Sequence, residues 1–227
     1  MEYRLSLLKN ILFIPFLFFF SVIFADEDVT SSPSITWEEN YEQAVKTAYK
    51  EEKPILLYFS GSDWCRWCKK LKAETFNSKE FTDYLSNFFV FINIDFPKEK
   101  EQSAEIILQN SRLKTLYKVQ SFPTVIIMDH KEKELDRLGY LKGGGKAYRE
   151  KVFQVLKDFE IYKESMSKID QGLSSQVDLE DLYKTAKRLD NLEDASKVLT
   201  IGLEQKDLFF LAEKYQILTD SGRRKSQ

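Results

Sequence analysis

The chain has 227 residues, 43% apolar, 31% charged and 14% aromatic, with five Pro and eight Gly, a composition that excludes disorder and collagen-like repeats. Thirty-four Lys and Arg against 36 Asp and Glu leave a formal charge of -2, so no basic field draws nucleic acid and none is expected as a partner. Two Cys and a single His are too few ligands for a structural zinc site, and no metal or other cofactor is expected.

The N-terminus reads as an address. Arg4 and Lys9 precede an apolar run over 11–24, and Ala25 closes it before Asp26-Glu27-Asp28, the pattern of a signal peptide (1–25) cleaved after Ala25. The run is shorter than the roughly 18 to 20 residues that cross a bilayer, which favours cleavage over a retained anchor. An exported, periplasmic protein with no stable membrane anchor is the expectation. In such a compartment cysteines usually serve as staples, yet Cys65 and Cys68 close too small a loop to stabilise much by chain entropy. A pair that staples nothing is expected to react.

Residues 26–35 are polar and read as a flexible leader. Thr36 and Glu39 form a capping box ahead of Trp37, Tyr41, Ala44, Val45 and Ala48 at helical spacing, which predicts a helix over 37–52. The apolar run 55–60 predicts a buried strand. Gly61-Ser62-Asp63 then turns the chain into Trp64-Cys65-Arg66-Trp67-Cys68 and a helix to Phe76. A helix capped by Ser78 and a second buried strand over 89–96 complete a β-α-β unit around the cysteines. Residues 97–119 read as helical, with Ala104, Ile107, Leu108, Leu113, Leu116 and Tyr117 as apolar faces. Strands over 124–128 and 134–140 form a hairpin through the polar turn that holds His130. A closing helix carries Val152, Val155, Leu156 and Phe159. A domain over 36–162, a linker over 163–177, a helical C-terminal appendage over 178–220 and a disordered tail over 221–227 follow from composition and spacing.

Cys65 at the first turn of a helix faces unpaired backbone N–H groups and the positive end of the helix dipole, which favour a thiolate. Cys68 lies about one turn further on and on the more buried side. Cys65 is therefore expected to attack and Cys68 to resolve.

The run Trp64-Cys65-Arg66-Trp67-Cys68-Lys69, with Ser121-Phe122-Pro123-Thr124 ahead of a strand, resembles the thioredoxin superfamily, and the layout is similar to its DsbH-type exported disulfide reductases. The resemblance implies an α/β fold, a three-layer α/β/α sandwich with a mixed sheet. It implies a cis Pro123 against the cysteine pair, and a redox-active Cys65–Cys68 dithiol that reduces exported proteins carrying disulfides and is recharged by a membrane electron donor. Trp64, Arg66, Trp67, Phe122 and Pro123 would flank the pair and dock substrate, although packing is an equal reading of Trp64. Arg66 beside Cys65 should favour its thiolate and a more oxidising couple.

Thioredoxin's buried Asp corresponds here to Tyr58 or Phe59, and its Lys partner to Phe91. No buried carboxylate is therefore expected beside Cys68, and water, Lys69 or Asp63 remain as its proton acceptor. An oxidase or isomerase of the same fold, and a non-catalytic binding module, are the competing readings.

Overall fold

A computed structural model describes residues 34–225. The signal-peptide reading of 1–25 and nearly all of the expected leader lie outside the described residues. The first described element is a strand, β1 (Trp37–Glu38), and helix α1 (Tyr41–Glu51) follows it. The expected helix start at Thr36 is thus corrected. Asn40 caps α1 by accepting the Gln43 N–H at 2.9 Å. The Trp37 indole packs among Tyr58, Phe76 and Phe91 with centroids 5.6, 5.1 and 5.3 Å away. This tertiary aromatic contact outweighs the local capping box.

The apolar runs form β2 (Ile55–Ser60), buried throughout, and β3 (Val90–Asp95). Between them lie α2 (Arg66–Leu71), a π-wound turn (Lys72–Phe76) and α3 (Lys79–Leu85). Helix α4 (Ala104–Leu116), the hairpin β4 (Thr124–Met128) and β5 (Glu134–Leu138), and α5 (Gly144–Asp170) follow. Among the described residues the strands form one five-stranded sheet in the order β1-β3-β2-β4-β5. β3 is parallel to both β1 and β2, whereas β4 is antiparallel to β2 and β5. The sheet is mixed, as expected.

Side chains alternate across each strand, and this alternation divides the core. Leu56, Tyr58, Phe91, Val125 and Ile127 join α2, α3 and α5 on one face. Ile55, Leu57, Phe59, Ile92 and Ile126 join α1 and α4 on the other. The three layers are therefore helix, sheet and helix. Gly145 permits the close seat of α5 on α3, because a Cβ there would lie 1.8 Å from Ser78 Oγ and 3.2 Å from Phe81 Cβ.

Helix α4 departs from its expected burial. Ile107, Leu108 and Leu116 are exposed, and the buried residues are Asn110 and Leu113. The Asn110 amide donates to the Asp95 carbonyl at 2.9 Å, and this interior bond turns that side of the helix inward.

The boundary after the sandwich also moves. Helix α5 continues to Asp170, with Phe159, Tyr162, Met166 and Ile169 buried, so the expected linker over 163–177 is replaced by helix for its first half. Helices α6 (Leu179–Arg188), α7 (Leu192–Glu204) and α8 (Leu208–Lys225) follow. The last of them runs into the stretch from 221 expected to be disordered. The appendage shares its apolar core with the sandwich, from Leu56 through Tyr162 and Leu182 to Phe210. Arg188 donates to the Leu135 carbonyl of β5 at 2.8 Å, and the Tyr162 hydroxyl donates to Asp194. No helix among the described residues is long and apolar enough to cross a membrane.

Candidate redox site

The central strand β2 ends at Ser60, where Gly61 opens the turn into the cysteine segment. The Trp64 indole folds back over this glycine so closely that a Cβ on Gly61 would lie 2.4 Å from it. The Trp64 indole N–H donates to the Phe96 carbonyl at 2.7 Å, which ties the loop after β2 to the end of β3. Asp63 reinforces the tie by accepting the backbone N–H groups of Lys98 and Glu99 at 2.8 and 2.7 Å. The Glu99 N–H foremost, with that of Lys98, holds the Asp63 carboxyl below the usual carboxylate range. A carboxyl lowered in this way supports the folded state above its ordinary range, and the support is lost as the pH falls through the lowered value. Asp63 and Lys69, both weighed as proton acceptors for Cys68, are engaged here. The Lys69 ammonium donates to the Asp63 carbonyl at 2.5 Å.

Cys65 stands at the N-cap of α2, and its sulfur accepts the Cys68 N–H at 3.1 Å. The two cysteines form a disulfide with Cα atoms 5.2 Å apart. Cys65 is 6% exposed and Cys68 1%, so both are buried and the first is the less deeply so. Arg66 opens α2 and is exposed on the same rim.

The flanking aromatics fall into two groups. Trp64 packs edge-on to Phe122 at 5.9 Å, and Phe122 stacks on Phe96 at 5.2 Å. Pro123 follows through a cis peptide bond, as the resemblance implied, and is buried. Trp67 packs on Tyr140 at 5.1 Å. Trp64 is 43% exposed and Trp67 51%, so Trp64 packs along one edge, as one of its two readings expected, and presents the rest to solvent. Tyr140 and Phe96 were missed in the sequence because nothing in their spacing tied them to the cysteines.

Beneath the cysteines lies a cavity of about 370 Å³ that Cys68 shares with Tyr58, Ser60, Ser62, Asn93 and Asp95, among others. Of the two positions weighed for thioredoxin's Asp, Tyr58 is the one that faces Cys68; its hydroxyl donates to the Cys68 carbonyl at 3.3 Å. Burial first, and then the charge of Asp95, raise its phenol well above the ordinary value. Asp95 adds to this cavity a buried carboxylate that the comparison with thioredoxin's positions did not point to. It is 5% exposed, sits at the end of β3 and lines the same cavity. Its carboxylate accepts Ser60 Oγ at 2.9 Å, the Ser62 N–H at 2.8 Å and Ser62 Oγ at 2.5 Å. The signal was in the sequence, as an ionisable residue closing a mostly apolar strand.

This arrangement is that of a dithiol-disulfide site: a cysteine at a helix start, a more deeply buried partner one turn on, a cis proline and an aromatic rim. The family model for the thioredoxin-like domain matches residues 41–149. The disulfide bond reductase DsbH of Chlamydia pneumoniae is 37% identical over 56% of this chain and 76% of its own length. A solved structure titled DsbH oxidoreductase, 37% identical, superposes with a TM-score of 0.53 over 56% of this chain and 87% of that one. The chain belongs to the thioredoxin superfamily. Within the superfamily it is a thiol-disulfide oxidoreductase of the DsbH type. The thioredoxin-related protein DsbJ of Chlamydia pneumoniae is 28% identical over 86% of this chain, which spans 56% of that relative's length.

Proposed function

We propose that this chain is an exported protein-disulfide reductase. The observation that carries the reading is the pairing of Cys65, the more exposed sulfur at the start of α2, with the buried Cys68 one turn on. In the reduced protein the Cys65 thiolate attacks one sulfur of a substrate disulfide. A mixed disulfide forms, and the other substrate sulfur departs with the electron pair and takes up a proton. Cys68 then attacks Cys65 Sγ, releases the second substrate thiol and leaves the enzyme as the disulfide. The substrate has gained two electrons and the protein has lost two.

The substrates are exported proteins carrying disulfides, docked as extended segments along Trp64, Trp67, Phe122 and Pro123. Exposed indole faces supply apolar area there with little conformational entropy to lose. A membrane electron donor returns the disulfide to the dithiol. Periplasmic placement is supported by the basic and then apolar start of the chain and by Ala25 ahead of an acidic run. No cofactor is needed beyond the cysteine pair.

The direction of electron flow is tested by equilibrating the protein with glutathione buffers of graded ratio and counting reduced cysteines after acid quench and alkylation. The expected potential lies nearer the value of about -270 mV for thioredoxin than the value of about -120 mV for DsbA. A potential near the DsbA value would make the chain an oxidase, the direction that Arg66 favours.

A further inference from the structure

The cavity that Cys68 lines bears on the second step of the exchange, and the inference rests on the proposed dithiol chemistry. Cys68 must lose its proton to attack, in a site where it is 1% exposed. The titratable groups facing the cavity are Tyr58, Glu39, Lys69, Lys72, Lys100 and Asp95. Tyr58 keeps its proton, since burial and the nearby Asp95 both oppose a phenolate. Lys69 is turned to the Asp63 carbonyl. Glu39 is exposed and lies 4.0 Å from Lys100. Ammonium groups are proton donors at neutral pH.

One carboxylate among them is buried, and it is fixed. Ser60 and Ser62 hold both oxygens of Asp95, and the Asn110 amide holds its backbone carbonyl at 2.9 Å. A carboxylate presents about four lone-pair sites, and the three hydrogen bonds to Asp95 leave room for another donor. The cavity between it and Cys68 is large enough for several waters and is lined by polar groups that can order them.

We propose that Asp95 is the proton acceptor for Cys68 and acts through water in the shared cavity. During resolution the Cys68 S–H bond breaks and its proton passes to the Asp95 carboxylate. The sulfur electron pair forms the bond to Cys65 Sγ, and the bond from Cys65 to substrate breaks with its pair leaving on the substrate sulfur. Reduction of the enzyme disulfide by an external dithiol returns the proton to Cys68. Thioredoxin's carboxylate position is filled by Tyr58, so the base has moved from the strand before the cysteines to the end of the neighbouring strand.

The test mixes the reduced full chain with a nitrothiobenzoate disulfide, whose coloured thiolate is released twice. The first release is bimolecular and reports attack by Cys65; the second is unimolecular and reports resolution by Cys68. Asp95→Asn is expected to slow the second phase roughly tenfold to a hundredfold at neutral pH. The deficit should close as the pH rises and the thiol ionises unaided, while the first phase stays within about twofold. Asp95→Glu, which keeps the carboxylate, should recover part of the rate with a displaced pH profile in the second phase alone.

Equal second phases in wild type and Asp95→Asn, or a deficit of the same size at every pH, would overturn the proposal. If Asp95→Asn does not fold, the Glu variant decides, and an unaltered second-phase profile refutes the role. A wild-type protein that shows no second release refutes the dithiol reading itself, which is a different outcome from wild type and variant resolving alike.

Discussion

Cys65→Ser is expected to abolish reduction of insulin disulfides, with the rate falling by roughly three orders of magnitude or more to the background of the dithiol used as electron source. The size of the effect follows from the chemistry. A serine hydroxyl is un-ionised at neutral pH and forms no bond to sulfur that Cys68 can resolve. Cys68→Ala is expected to behave differently. The first attack survives, turnover stops, and the protein accumulates as a covalent adduct, because the inward-facing sulfur that releases substrate is gone. If both variants retained the full wild-type rate in the insulin assay, the cysteine pair would be incidental and the enzyme reading would fall.

The second large effect concerns the frame that holds the site. Phe81 is fully buried and touches Phe76, Phe91 and Tyr148 with ring centroids at 5.3, 6.2 and 6.0 Å. It joins α3, β3 and α5 beneath the π-wound turn that follows α2. Truncation to alanine removes the ring's transfer free energy and leaves a cavity that its aromatic neighbours fill poorly. Phe81→Ala is expected to cost about 3 to 5 kcal/mol, a large share of the roughly 5 to 15 kcal/mol typical of a domain. A lowered urea midpoint with an unchanged slope is the expected signature. Phe88→Ala, at an exposed position on the same segment, serves as the comparison and should stay within about 0.5 kcal/mol of wild type. A loss below about 1 kcal/mol for Phe81→Ala would mean that this aromatic cluster does not hold the layer together.

The parts of the fold legible in the sequence were those written in local chemistry. Continuous apolar runs of strand length gave β2, β3 and β4 close to their bounds, and the cysteine spacing gave the helix start after β2. What escaped was set by distant partners. β1 exists because Trp37 finds Tyr58, Phe76 and Phe91, all far along the chain. α4 turns Leu108 and Leu116 outward because Asn110 bonds the end of β3. The extension of α5 was readable, since Phe159, Tyr162, Met166 and Ile169 recur at helical spacing and are buried. The Ser- and Gln-rich composition of the neighbouring residues outweighed that signal.

The site shows the same division. Cys65, Cys68, Trp64, Trp67, Phe122 and Pro123 come from two motifs, and the Trp64–Phe122 contact brings those motifs together. Asp95 was masked by its setting, an apolar strand read as one buried run. Its neighbours Ser60 and Ser62 sit on another strand and its turn, and only the parallel pairing of β2 with β3, Ser60 opposite Asp95, makes them one cluster.

Which of the two sulfurs meets substrate is measured directly by intact-mass analysis of trapped adducts. Reduced Cys68→Ala and Cys65→Ala chains are incubated with one disulfide-bonded substrate, quenched with acid, and digested to map the adduct. A stable mixed disulfide is expected on Cys65 in the first variant and little or none on Cys68 in the second, in keeping with the 6% and 1% exposures of the two residues. An adduct that forms as readily on Cys68, or on neither sulfur, would contradict the assignment of Cys65 as the attacking sulfur.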